Sequence, residues 1–444
     1  MRPISRRLLL GGSAALAVAA TLAACSNGSS SSSGSDNGVY LLNFKPEAEE
    51  ALKTIASAYK DKTGVEVKVV TAASGTYQQT LQTEVAKSNP PTIFNINGPV
   101  GLVTWKDYAL DLSGTEFVKA LTDSSMALTD EDGVVYGSPL GVEGYGLIYN
   151  AAILNKYFAM EGAKATSVDE IKGFDKLKEV VEDMQARKAD LGIEGAFACI
   201  SLASGEDWRW QTHLANYPVF YEFRDKGVTD AKEIALTYSD NYKQIFDLYL
   251  NNSTVAPSAA AAKTVTDSMA DFALGKCAFV QNGNWAWSQI SEVEGNTVAE
   301  GDIHFMPIYI GVSGEEKSGI ALGTENYLAV NSQVSETAQK ASIDFLTWLL
   351  TGEGAKMLVD NSVVSVSPYP AFSELTPADP LGKETAEFLA NKDLYPINWV
   401  FQTFPSQEFK NQLGSHLAQY ASGQEDWSAV KDYFVSAWKS EKSA

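Results

Sequence analysis

The chain has 444 residues, 45% of them hydrophobic and 20% charged, with a formal net charge of −21. Such acidity argues against nucleic acid as a partner and leaves a cationic solute open. A body of roughly 400 residues would ordinarily divide into two or more domains.

Arg2, Arg6 and Arg7 precede an apolar run from Leu8 to Ala24, and the small residues Ala23 and Ala24 stand just before Cys25. A cationic head, an apolar run slightly short for a membrane span and a small-residue cut site describe a signal peptide over residues 1–24. Leu22-Ala23-Ala24-Cys25 resembles a bacterial lipobox, in which the cysteine is lipidated and becomes the mature N-terminus. Ordinary cleavage that leaves an incidental cysteine is the alternative. Ser5-Arg6-Arg7 also resembles a twin-arginine signal lacking its usual Phe, so the export route stays open. Ser26 to Gly38 is built of Ser, Gly, Asn and Asp, which cannot bury apolar area. Residues 25–38 are therefore expected to form a flexible tether that holds the protein by a lipid on Cys25 at the outer face of the cell membrane. Without the three arginines of the signal, 31 of the 34 basic residues face 55 acidic ones, a formal charge of −24.

The body opens with alternating strand and helix signals. Val39 to Phe44 is a short apolar strand; Pro46 suits a first helical position, and Glu47, Glu49 and Glu50 suit the positive end of the helix dipole. Leu52, Ile55, Ala56 and Tyr59 recur at three and four, and Gly64 stops the helix. Val65 to Val70 alternates as a strand, a helix follows from Gly75-Thr76 to about Ser88, Thr92 to Ile96 is a third strand, and Asn97-Gly98-Pro99 opens another helix. This order predicts an α/β fold with a parallel sheet and a ligand crevice at the carboxyl ends of its strands. Asn43, Phe44, Thr76, Asn97 and Gly98 stand at those ends as candidate ligand contacts. Helix capping is the alternative for the small and polar ones.

Asp132-Gly133 marks a tight turn before Val134-Val135-Tyr136; the offsets of its acids do not fit a calcium loop, and a hairpin is the better reading. The run Tyr136-Gly137-Ser138-Pro139, followed by Leu147-Ile148-Tyr149-Asn150, resembles a signature of the extracellular solute-binding proteins of ATP-driven sugar transporters, the maltose-binding type. Supporting pieces follow in family order: Gly275 to Phe279, Asn282-Gly283-Asn284-Trp285, Gly323 to Asn331, Phe345 to Gly352, and Ala421-Ser422-Gly423 before the last helix. Thr324-Glu325-Asn326 departs from the small residues many members carry there, which leaves the ligand open. The resemblance implies a two-lobe periplasmic-binding-protein-like fold of type II with a cleft between hinged lobes. It places the first lobe at 39–140 and 309–335 and the second at 141–308 and 336–444, with crossings near Pro139–Val142, near Pro307–Ile310 and in a helix from about Ser335. It further implies a monomer that hands a carbohydrate to membrane permease subunits, without cofactor, metal or catalysis.

A sugar offers hydroxyls that need polar partners and C–H faces that pack on aromatic rings. The segments that mix these groups supply Trp208, Trp210 and His213, then Asn282, Asn284, Trp285 and Trp287, and finally Trp399. Glu143 and Tyr145 lie at the first crossing, and Glu325 and Asn326 in the segment that departs from the family pattern. Core packing is the alternative for each tryptophan. Cys199 and Cys277 are either one disulfide or two buried thiols. No Gly-x-Ser-x-Gly, phosphate loop or His-Glu-x-x-His is present, and His213, His304 and His416 are too scattered for a zinc set. A polyamine binder and a lipid-anchored glycoside hydrolase are the alternatives for function. Changing Cys25 to Ser is expected to move the protein from the membrane fraction to the soluble one; continued retention with an intact signal would overturn the lipid anchor.

Overall fold

The structure, a computed structural model, describes residues 38–73 and 75–443. The signal and tether up to residue 37, with Cys25, lie outside the described residues. Among the described residues no helix is long and apolar enough to cross a membrane.

The chain forms β1 (Val39–Asn43), β2 (Val67–Thr71) and β3 (Ile93–Asn97), then β4 (Leu128–Thr129), β5 (Val135–Pro139) and the long β6 (Glu143–Asn150). It continues through β7 (Phe279–Gly283), β8 (Ile303–Met306), β9 (Ser318–Gly323), β10 (Asn326–Val330) and β11 (Tyr395–Asn398). One sheet has the order β2-β1-β3-β10-β5-β4. β1 pairs in parallel with β2 and β3, as the alternating pattern predicts, and β10 enters antiparallel between β3 and β5. The other sheet runs β11-β9-β6-β7. Residues Glu143 to Tyr145 of β6 pair with β9, and Leu147 to Asn150 pair with β8.

Strand alternation divides the first sheet between two cores. Val39 and Leu41 of β1 pack with Leu52, Ile55, Ala56 and Tyr59 of the helix Glu49–Thr63, the expected stripe. Tyr40 and Leu42 point the other way, to Tyr77 and Leu81 of Tyr77–Val85. Gly64, at φ 76°, ends the first helix in the left-handed region, where a Cβ is costly. The hairpin at Asp132-Gly133 is present: Asp130 Oδ1 accepts the N–H groups of Asp132 at 3.0 Å and Val134 at 2.9 Å. Cys199 and Cys277 are two buried free thiols, and burial pushes Cys199 up to about 12.

The chain passes between the sheets at Pro139–Val142, joining β5 to β6. The next crossing differs from expectation. β9 belongs to the second sheet and β10 to the first, so the passage is at Gly323–Asn326 and residues 309–323 side with the second lobe. The helices Glu336–Thr351 and Gly354–Asp360 were expected in the second lobe, yet Phe345, Leu346, Leu349 and Leu358 bury with Val39 and Leu41. Their apolar faces cover the first sheet, and the chain returns only after them, since Pro380–Ala390 packs on β8 and β9.

The first crossing is bonded both to the second and to the segment that follows the helix Gly354–Asp360. Leu140 N–H donates to the Asn326 carbonyl at 3.1 Å, Val142 N–H to the Val366 carbonyl at 2.8 Å, and Ser367 Oγ to the Leu140 carbonyl at 2.7 Å. Tyr369 closes the set by donating to the Pro139 carbonyl at 3.0 Å. A Cβ on Gly141 would lie 2.7 Å from Val364 Cγ1 and 2.8 Å from the Val366 carbonyl oxygen. Gly141→Val is therefore expected to cost roughly 1–3 kcal/mol of stability. Thermal unfolding checks it, with Gly114→Ala as the control, because nothing lies within 4 Å of a Cβ there.

Candidate functional site

The strand ends of the first sheet face the second across a seam. Asn43 shapes the first of them: its Oδ1 accepts the Lys45 N–H at 3.0 Å and its Nδ2 donates to Thr71 Oγ1 at 3.1 Å. Phe44 packs edge-on against Tyr77, with centroids 5.3 Å apart. This turn presents Lys45, which is 7% exposed and donates from Nζ to Glu143 at the start of β6. Glu47 lies 3.8 Å from the same ammonium. Burial opposes the charge on Lys45, but Glu143 and Glu47 hold its pKa above the usual lysine value. After β2, Gly75 meets Gly205 of the other side, so that a Cβ on Gly75 would lie 3.1 Å from the Gly205 carbonyl oxygen. After β3, Asn97 Oδ1 is buried with no partner among the described residues, and Gly98, at φ 62°, sits against Gln402.

The facing wall is aromatic. Trp208 leads into a turn of π-helix, Arg209–Leu214, a wide turn of the kind often found at functional sites. It turns His213 onto the Tyr145 ring, with centroids 4.1 Å apart and planes 6° from parallel, while Tyr145 donates its hydroxyl to the His213 carbonyl at 3.0 Å. Trp285 stands 6.0 Å from Trp208, 5.7 Å from His213 and 6.5 Å from Trp399. Gly283 and Gly323 make room for the rings: a Cβ on the first would meet Trp285 at 2.2 Å and on the second Trp399 at 2.4 Å. The indole nitrogens of Trp285 and Trp399, His213 Nδ1 and Thr324 Oγ1 are buried without partners among the described residues. Burial, with Arg209 and Lys410 nearby, drives the His213 pKa well down, so the imidazole is neutral.

Opposite charges line the seam. Burial raises the Glu325 carboxyl, against the pull of Lys410 and Lys45 and with that of Glu143. Burial lowers Lys410, against the pull of Glu325. The predicted residues Glu143, Tyr145, Trp208, His213, Trp285, Glu325 and Trp399 are thus brought together, with Asn97 and Gly98 on the first-sheet side.

Others lie elsewhere. Trp210 is core: it packs on Phe246 and Tyr249 and donates from Nε1 to the Ser201 carbonyl at 3.0 Å. Trp287 is one residue into the helix Ala286–Ser291 and packs against a separate cluster containing Ile148 and Ile290. Asn282 alternates away from the wall, donating to Met269 Sδ at 3.2 Å. Asn284 is a hinge tie, accepting the Gly144 N–H at 3.0 Å and donating to Ser365 at 3.2 Å. Asn326 accepts from Asn95, and the Thr76 hydroxyl donates to the Ala73 carbonyl at 2.9 Å. Lys45, Arg209, Gln402 and Lys410 were missed. Lys410 carries a legible signal, a charge on the apolar stripe Phe409, Leu413, Leu417 of the helix Gln407–Ala421.

A family profile described as bacterial extracellular solute-binding protein matches residues 54–384. The chain belongs to that family. No curated protein sequence matches this solute-binding protein, whereas many solved structures share its fold. A chitin oligosaccharide binding protein superposes with a TM-score of 0.72 at 18% identity, over 92% of this chain and 99% of that one. The raffinose complex of the binding protein RafE gives 0.68 at 16% identity, over 90% and 99%. Maltose-bound MalE3 of T. maritima gives 0.66 at 16% identity, over 90% and 99%. The two-lobe α/β fold expected from the sequence is that of these proteins.

Asp207, behind the aromatic wall and 6% exposed, faces Gly414, where a Cβ would meet Asp207 Oδ2. Burial pushes its pKa from 3.8 up to about 6, against backbone hydrogen bonds that lower it. A carboxyl whose folded value is raised favours folding below its unfolded value and loses that contribution as pH rises through the folded one. Asp207→Asn is therefore expected to gain stability over the unsubstituted protein at pH 7.5 and to show no gain at pH 4, measured by urea unfolding.

Proposed function

We propose that this solute-binding protein captures a carbohydrate, most simply an oligosaccharide, between its lobes and delivers it intact to the permease of an ATP-driven transporter. The observation that carries the reading is the wall of Trp208, Trp285 and Trp399 beside buried polar atoms without partners. Flat rings suit the C–H faces of sugars, and orphaned donors and acceptors suit hydroxyls, since an unpaired buried polar group costs about 1–3 kcal/mol. Chitin oligosaccharide, raffinose and maltose in the names of similar structures agree in kind.

The crossings provide the motion. A solute that touches both walls stabilises the arrangement in which they meet, and the hinge lets that population grow. A lipid on Cys25 with a polar tether keeps the body at the membrane surface, where the permease is.

Titration calorimetry against mono- and oligosaccharides, amino acids and polyamines tests the class; binding confined to amines would overturn it, and so would release of shorter sugars at many turnovers per protein. Trp285→Ala is expected to weaken sugar binding at least tenfold, about 1.4 kcal/mol. The apo-protein should lose less than the roughly 3–5 kcal/mol of a fully buried aromatic truncation, because Trp285 is only partly buried. A large loss of apo stability with unchanged affinity would make Trp285 a packing residue.

A further inference from the structure

Arg209 is the unexplained group of the seam. It is 1% exposed, its guanidinium carbon lies 3.9 Å from the centroid of the Trp208 ring, and Nε, Nη1 and Nη2 all lack partners among the described residues. Lys45, by contrast, pairs with Glu143 and Glu47, and Lys410, which feels Glu325 from a distance, is less deeply enclosed at 8% exposed. Glu206 and Glu47 act on Arg209 only from a distance, and neither forms an ion pair with it. Removing an unpaired charge from water is costly, and so a buried guanidinium with five free N–H donors calls for an anion. Trp208 covers one face of the group, which leaves its edge, the fork that matches a carboxylate or sulfate with two parallel hydrogen bonds.

We propose that the carbohydrate taken by the cleft is acidic, carrying a carboxylate or sulfate that Arg209 receives edge-on against Trp208. This rests on the carbohydrate reading above and narrows it. Burial pulls the Arg209 pKa down to about 9, against the pull of Glu206 and Glu47, so the group is still charged at neutral pH. A polyamine would place like charge beside it. A neutral sugar would offer hydroxyls to the fork and leave its charge uncompensated.

The test compares matched sugars on the unsubstituted protein, Arg209→Met and Arg209→Lys by thermal shift and calorimetry. The probes are galacturonate and glucuronate oligomers, their methyl esters, the corresponding neutral oligomers, and sulfated against unsulfated N-acetylglucosamine disaccharides. The expected result is that acids bind at least tenfold more tightly than their esters or neutral partners. Arg209→Met should level that difference, and Arg209→Lys should retain only part of it. Carboxylated and sulfated probes separate the two anions. Equal binding of acid and ester, or a preference that survives in Arg209→Met, overturns the acidic-sugar proposal and leaves the carbohydrate reading standing. Absence of binding by any sugar overturns both. The apo form of Arg209→Met should unfold no lower than the unsubstituted protein, because no hydrogen bond or ion pair among the described residues is lost and the thioether replaces the contact with Trp208; a large fall would make Arg209 a fold-holding residue and overturn the proposal.

Discussion

Three chain segments meet at the hinge, and the hydrogen bonds among them set where everything else sits. Leu140 and Val142 of the first crossing bond to Asn326 of the second and to Val366 in the segment after the helix Gly354–Asp360, and Tyr369 and Ser367 return bonds to Pro139 and Leu140. These bonds tie the end of β5 to the start of β10 and to the segment around Val366. A hinge of few residues at this knot is what the proposed rotation of the lobes would need. Gly141 lets the segments approach, since any side chain there would meet Val364 and Val366.

Rotation about the knot changes the environment of the seam more than that of either core. Apolar residues of the two sheets fall into separate clusters, so the cores are independent of the angle between lobes. The groups that feel the angle are polar or charged: Lys45 against Glu143, Glu325 near Lys410, Asn97, and Gln402, which donates to the Thr324 carbonyl. Meeting of the walls is therefore governed by desolvation and hydrogen bonding, whereas folding of each lobe is governed by apolar burial. That separation would let the seam open and close, as the proposed function requires, without loss of fold.

Much of the first sheet was legible because strand alternation and the three-and-four spacing of Leu52, Ile55, Ala56 and Tyr59 are local signals. The boundaries of the lobes were not, because the helix Glu336–Thr351 has an apolar stripe that could cover either sheet. Only the partners of Phe345 and Leu349 decide, and these lie some 300 residues earlier in the chain. The site was half legible for a similar reason. Tryptophans announce themselves by composition, but Trp208 and Trp210 are two residues apart and so lie on different faces of their turn. One reaches the seam and the other fills the core against Tyr249. Asn282 and Asn284 are likewise separated by the end of β7, beyond which strand alternation no longer assigns faces.

Charged side chains in apolar surroundings would have been the better guide. A surface Arg or Lys has water as its partner, so its presence explains nothing; a buried one must have been retained against a desolvation penalty. Arg209 stands between Trp208 and Trp210, and Lys410 interrupts the stripe of Phe409, Leu413 and Leu417. Arg209, which forms no ion pair among the described residues, would be more stable as an aliphatic residue if the fold alone were at stake. Seen this way, the aromatic wall and the buried cations perform different tasks in one site. In the proposed function the rings of Trp285 and Trp399 would provide contact area that depends little on the identity of the sugar. The cations and the acids around them make the energy of meeting depend on which polar groups the solute brings. With an orphaned group costing about 1–3 kcal/mol, a solute that satisfied several of them would contribute on the scale of the roughly 5.5 kcal/mol that takes a two-state equilibrium from 1:99 to 99:1. On that proposal, selectivity would reside in the few buried charges and amides of the seam.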